Sequence, residues 1–181
     1  MKLVKPLQSG ELVLKTLGAA HADGPYLDWF IDPEVTKFLE PIAGAMTAER
    51  LRAYILDNNQ DQTSLLAGLF VDDGGRHVGN VRLSGLDRAY SRCSIGIVIG
   101  ARDCWGLGFA STAIRALTDV AHADLGIDYL YAGCHELNHG SIHAFLKAGY
   151  IDFSSASDKI RNIAALQGAH IDHIKMVHCL G

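Results

Sequence analysis

Apolar residues follow two rhythms along this 181-residue chain. Where every second residue is apolar, a half-buried strand is expected; where they recur every three or four, an amphipathic helix. Glu11 to Leu17, with Leu12 and Leu14 alternating, reads as the first strand. Gly18 to Ala22 turns the chain. Pro25 to Ile31 carries Tyr26, Leu27, Trp29, Phe30 and Ile31, a short helix with a heavy apolar face. Asp32-Pro33 ends it or starts another turn, since Pro fits a first helical position. Thr47 suits the N-cap of a helix running to Asn58, with Leu51, Tyr54 and Ile55 at helical spacing. Ser64 to Val71 is an unbroken apolar run, hence a buried strand. Asp72-Asp73-Gly74-Gly75 is a hairpin turn, and His77 to Leu83 its partner strand. Polar Asp87 to Arg92 leads to a third strand, Ser94–Ile99. The three are expected to form an antiparallel meander.

The stretch that follows organises the rest of the chain. Ile95 to Gly108 is a buried run, a bend at Gly100, and a Gly-x-Gly turn. From Phe109, Ala110, Ala113, Ile114, Leu117, Val120, Ala121 and Leu125 recur at three and four residues, the longest helix, with Gly126 at its C-cap. Ile127 to Cys134 reads as a strand. A helix joins it to the Ile95–Ile99 strand, so the two are expected to run parallel through a right-handed crossover. Asn138 caps a short helix holding Ile142, Phe145 and Leu146, and Gly149 ends it. Tyr150–Phe153 and His170–Cys179 read as the last strands; in the second, His170, Asp172, Lys175 and His178 interleave with apolar residues. Ser154 to Gly168 is polar, a loop with a helical turn.

Composition narrows the classes. The 49% hydrophobic and 20% charged content is that of a globular protein, and the length suits one domain over residues 1–181. A net charge of −4 argues against a general nucleic-acid footprint. No apolar run reaches the ~18 residues of a membrane span, and Met1–Gly10 lacks a signal-peptide core. Cys93, Cys104, Cys134 and Cys179 are scattered without a CxxC pair, which favours reduced thiols and a cytoplasmic setting. His135, His139 and His143 stand at four-residue spacing, but no acidic or cysteine ligand set accompanies them, so no metal is expected.

Gly106-Leu107-Gly108 taken alone fits tight packing as well as a ligand site. Between a buried strand and a long helix it becomes a phosphate cradle, with backbone N–H groups at the positive end of a helix dipole. It is not a P-loop, because no Gly-Lys-Ser/Thr follows, and the glycine spacing is not that of a dinucleotide fold. The second constellation is Asn138-His139-Gly140-Ser141 followed by Phe145-Leu146-Lys147-Ala148-Gly149-Tyr150.

Here the chain resembles the GNAT acetyltransferases. Arg102, Trp105, Gly106, Leu107, Gly108, Phe109 and Ala110 look like their acetyl-CoA loop. The Asn138, Ser141, Phe145, Lys147, Gly149-Tyr150 pattern looks like their next block. Trp-Gly-x-Gly-Phe-Ala, the Asn-to-Ser spacing, Leu12-Val13-Leu14 and Asp32-Pro33-Glu34-Val35 are similar to the ribosomal-protein N-terminal acetyltransferase branch. The resemblance implies an α/β fold with a mixed, mostly antiparallel sheet. That sheet splays between its two parallel strands and is flanked by helices. Acetyl-CoA would be the co-substrate, lying in the split without a metal. Backbone amides from Cys104 to Ala110 would hold the pyrophosphate, Ile97, Val98 and Ile99 the pantetheine amides, and Asn138 the arm near the thiol. Arg102 and Lys147 would supply charge. A homodimer is expected only from the family.

Three positions depart from the family pattern. Asp103 stands where Gln or Arg is common, Phe145 where a tyrosine often serves as acid, and Ser94 where relatives often place a glutamate. With Phe145 unable to donate a proton, Ser141 is the expected donor to the leaving thiolate. His135, after the strand lining the split, is one candidate base, and a water chain to bulk is the other. The acceptor is a small-molecule or peptide amine. An α-amino group, with a pKa of about 7.7–8.0 against about 10.4 for lysine, suits a site without an obvious carboxylate base. A protein N-terminus and an amino sugar both stay open. The competing reading is a non-catalytic acyl-CoA-binding module that kept the cradle and lost acid and base.

Overall fold

The computed structural model describes residues 1–39, 45–165 and 174–179. Strands β1 (Leu7–Ser9) and β2 (Leu12–Thr16) form a hairpin that turns at Gly10, where φ is 60°. Three residues are too short to show a rhythm, so β1 is specified only by its pairing with β2. After a 3-10 turn at Ala19–Asp23 come two one-turn helices, α1 (Pro25–Asp28) and α2 (Pro33–Thr36). The Asp32 side chain caps α2 by accepting from the Glu34 N–H at 2.9 Å. Helix α3 (Ala48–Gln60) is capped as expected, with Thr47 Oγ1 accepting from the Arg50 N–H.

The expected meander is present as β3 (Leu65–Val71), β4 (Arg76–Asp87) and β5 (Arg92–Ile99), paired antiparallel. Asp72 and Asp73 take positive φ, as a tight hairpin turn matching the strand twist requires. Helix α4 (Phe109–Leu125) ends at Gly126 with φ of 68°, and leads to β6 (Tyr129–Gly133). Helix α5 (His139–Lys147) is capped by Asn138. The short β7 (Ile151–Asp152), α6 (Asp158–Ala165) and β8 (Ile174–Cys179) complete the chain. The Ser154–Gly168 stretch is thus more helical than its polarity suggests. Buried Ile160 and two tertiary bonds fix α6: the Tyr131 hydroxyl donates to the Ile160 carbonyl, and Arg92 Nη1 to that of Ile163. Residues 166–168, and the expected strand positions His170 and Asp172, lie outside the described residues.

The eight strands lie in the order β1-β2-β3-β4-β5-β6-β8-β7. Every neighbouring pair is antiparallel except β5–β6. That parallel pair holds through Arg92↔Tyr129, Cys93↔Leu130 and Ser94↔Tyr131. From Ile95 on, β5 keeps β4 on one side and loses β6 on the other. The sheet therefore splits where the resemblance places the split. One face carries α4 and α5 over a core including Val81, Leu83, Ile114, Leu117, Leu130 and Phe145. The other carries α1 to α3 over Trp29, Leu51, Ile55, Leu66 and Phe70. Among the described residues, no helix is long and apolar enough to cross a membrane.

Candidate active site

Beyond the split, the chain turns through Gly100, where a Cβ would stand 1.8 Å from the Trp29 ring. Only glycine lets Trp29 pack so closely on the bend. The Gly-x-Gly turn is then braced from behind. Arg76 Nη2 binds both Asp103 oxygens, at 2.8 and 2.7 Å, and this ion pair holds the Asp103 carboxyl below its usual range. Trp105 Nε1 donates to the Ile99 carbonyl at 2.7 Å. The Cys104 and Trp105 amides are used inside the turn, donating to the Ala101 and Arg102 carbonyls. The amides from Gly106 onward are the ones left for a ligand.

Gly106 and Gly108 take φ of 78° and 83°, a region L side chains avoid. No protein atom lies within 4 Å of a Cβ built on Gly106, and Ser111 Oγ is 4.0 Å from one on Gly108. Their openness is the space a ligand needs beside the backbone. Asp32, Thr47 and Asn138 cap α2, α3 and α5 with their own side chains, whereas α4, the longest helix, has no side-chain cap. Its first N–H groups lack intrahelical acceptors and carry the positive end of the dipole. An anion at this end is what the geometry accommodates.

These amides line a cleft of about 630 Å³ that fills the split. The exposed edge of β5 at Ile97, Val98 and Ile99 forms one wall, and Asn138, Ser141, Ala144 and Lys147 of the α5 segment the opposite one. Cys104, Trp105, Gly106, Gly108, Phe109 and Ala110 form the end wall. Asn138 Oδ1 accepts from the Ser141 N–H at 3.1 Å, so its carbonyl serves as cap. Burial pushes the Cys104 thiol up, keeping it protonated. Arg102 and Leu107 are not among the lining residues. Arg102 stands over the Trp105 ring and 3.7 Å from Asp32, and Leu107 is exposed. His135 is exposed and does not line the cleft; its ring stands 5.2 Å from that of Phe38, which does, and its Nδ1 accepts from the Leu137 N–H. Phe145 is buried edge-on against Tyr150 and does not line the cleft; Ser94 lies outside it too.

Sequence reasoning passed over the α2 side of the cleft. Glu34, Val35 and Phe38, with Lys37 and Leu39, close it there. Helix α2 has only four residues and Phe38 lies beyond it, so no helical pattern in the sequence marked this wall. It also did not foresee that His139 and His143 face the cleft with Lys147, a stripe at i, i+4 and i+8 along α5. Among the described residues, no group of three or more His, Cys, Asp or Glu could hold a metal ion.

A family model described as an acetyltransferase (GNAT) domain matches residues 11–151. The chain belongs to the GNAT acetyltransferase family. This GNAT chain is 25% identical over 168 residues to a Bacillus licheniformis protein, uncharacterized N-acetyltransferase p20, covering 88% of this chain and 93% of that one. Its fold is similar to Mycobacterium smegmatis RimJ in complex with CoA-disulfide, with a TM-score of 0.71, 16% identity, and 82% and 75% of the two chains covered. It is also similar to Vibrio cholerae spermidine N-acetyltransferase in complex with CoA and spermine, with a TM-score of 0.67, 17% identity, and 78% and 82% coverage. The mixed sheet opened between its parallel strands is the fold of this family, and the family activity is acetyl transfer from acetyl-CoA.

Proposed function

We propose that this GNAT domain acetylates a primary amine by direct attack on acetyl-CoA in a ternary complex. The observation that carries this reading is the uncapped, glycine-opened N-terminus of α4 at the end of the split. Acetyl-CoA supplies the thioester, a pyrophosphate and two pantetheine amides. The Gly106, Leu107, Gly108, Phe109 and Ala110 amides hold the pyrophosphate, with Cys104 and Trp105 shaping the turn. Lys147 and Arg102 add positive charge. The Ile97, Val98 and Ile99 edge bonds the pantetheine amides, and Asn138 meets the arm near the sulfur.

In the reaction the amine nitrogen forms a bond to the thioester carbon and the carbon–sulfur bond breaks. The sulfur leaves with the electron pair and gains a proton, while the nitrogen gives one up. Ser141, in the cleft wall, donates to that sulfur. The nitrogen's proton leaves through water at the open mouth, to bulk or to His135, which stands outside the cleft lining. The acceptor enters on the α2 side, past Glu34 and Phe38. A protein N-terminus, the acceptor class of the ribosomal-protein branch, and a small amine such as an amino sugar are the two classes to be tried. The burial of Phe145 weakens the reading of a non-catalytic module, because that position does not open onto the cleft.

The test is CoA thiol release with a panel of peptide N-termini, amino sugars and polyamines. Release is expected only when a cognate amine is present. Ser141→Ala is expected to lower kcat and kcat/KM together by roughly 10²-fold, with acetyl-CoA affinity unchanged. Tight acetyl-CoA binding without amine-dependent release would establish the non-catalytic module instead. A parental rate in Ser141→Ala, with chemistry shown to limit, would assign the sulfur's proton to water.

A further inference from the structure

Ser141 is useful as a donor only if its single proton points into the cleft. Its hydroxyl has one hydrogen to give and lone pairs to receive. Cys134 Sγ lies 3.4 Å from Ser141 Oγ, and the geometry permits either atom to donate. The direction of this bond decides whether the Ser141 proton is free for the thioester sulfur.

Three observations bear on it. Cys134 follows β6 directly, where the β6–β8 register slips between Ala132 and Gly133. Such an irregularity re-aims the side chains that follow it, and here Cys134 reaches α5 instead of continuing the ladder. The side chain is 8% exposed and belongs to the core that holds Ala144 and Phe145 of α5. That burial pushes the thiol up, with Ser141 opposing it only in part, so the sulfur retains its proton. Ser141 itself is anchored at its backbone by Asn138. The serine is thus held at two points, by a cap and by a thiol that has a proton to give.

We propose that Cys134 is a positioning residue for the acetyl transfer. Its S–H donates to Ser141 Oγ, which leaves the Ser141 O–H free to turn into the cleft. If the serine instead donated to Sγ, its only proton would be spent on the wall. The inference rests on Ser141 being the donor to the leaving sulfur. Cys134 touches neither acetyl-CoA nor amine in this role and acts through the serine.

The test is a cycle of Cys134→Ala and Cys134→Ser in the parental and Ser141→Ala backgrounds, each checked by thermal melting. Kinetic constants for acetyl-CoA and the best amine are measured for every variant. Cys134→Ala is expected to lower kcat three- to tenfold, the worth of one ordinary hydrogen bond, at unchanged KM for acetyl-CoA. Cys134→Ser, whose hydroxyl donates in the same place, is expected to restore most of the rate. In the Ser141→Ala background, Cys134→Ala is expected to cost nothing further. An equal loss in both backgrounds would make Cys134 a packing residue and overturn the proposal. An unchanged or raised rate in Cys134→Ala would also overturn it, the raised rate showing that the serine had been donating to sulfur. If Cys134→Ala does not fold, Cys134→Val, apolar, somewhat larger and without a proton to give, takes its place in the cycle. Failure of the underlying reading is read separately, from Ser141→Ala alone turning over at the parental rate.

Discussion

A residue acts through the proton it can give or take, and burial decides that at several positions here. Cys104 lines the cleft, which makes an acetyl-cysteine the covalent route to test. Its thiol is pushed up by burial and by neighbouring Asp103, and a thiol that keeps its proton is a poor nucleophile. Mass spectrometry after mixing the protein with acetyl-CoA alone is therefore expected to show no acetylated Cys104. An acetyl group found there and passed on to amine would replace direct attack with a two-step route. Phe145 makes the complementary point. Read along the chain it marks a lost acid, but its ring is spent on Tyr150. A tyrosine there would have to bury its hydroxyl or displace the packing.

At the scale of elements, the site is made of ends and edges left unfinished. A helix of 17 residues has no side-chain cap, and a strand has lost its neighbour after Ser94. Unsatisfied backbone groups at such places must meet solvent or ligand. Gly108→Val tests the helix end. A Cβ there meets only Ser111 Oγ, at 4.0 Å, so the new side chain is expected to occupy the room proposed for the pyrophosphate. A branched residue at φ of 83° also strains the turn. The variant is expected to keep its circular dichroism and lose the thermal shift that acetyl-CoA gives the parent. Unchanged affinity in a folded Gly108→Val protein would move the phosphate site elsewhere.

For the whole molecule, pH reads out a histidine that the chemistry does not use. His77 is buried, stacked on Phe70 at 4.6 Å and close to Trp29, with Nε2–H donating to the Gly79 carbonyl and Asn80 Oδ1. Loss of hydration pushes its pKa down to about 4, against the opposing bond to Asn80. In the unfolded chain imidazole titrates near about 6.5. Between these values the unfolded chain holds a proton that the folded one refuses. Stability is then full above about pH 6.5, falls as pH drops, and levels off below about pH 4, a loss of about 3 kcal/mol from His77. His178, lowered by burial and by neighbouring His122, adds in the same direction. Urea midpoints measured from about pH 7.5 to 4.5 are expected to fall in the parent and to fall less in His77→Gln. Equal slopes in the two proteins would mean that His77 titrates freely. Nothing at position 77 in the sequence announces this, because its burial comes from α1 and β3 packing over it. The same division runs through the molecule. Turns, caps and long elements were legible because their causes are local: Asp72-Asp73, Thr47, Asn138, Gly126 and the apolar stripe of α4 each act within a few residues. The glycine turn that opens α4 was legible for the same reason, with its glycines and helix adjacent in the chain. What only the tertiary structure decided involves residues far apart: β1 as an edge strand, α6 against Arg92 and Tyr131, Glu34 and Phe38 as cleft wall, and Cys134 against Ser141. These depend on which surfaces meet when the sheet closes, and no spacing along the chain encodes that meeting.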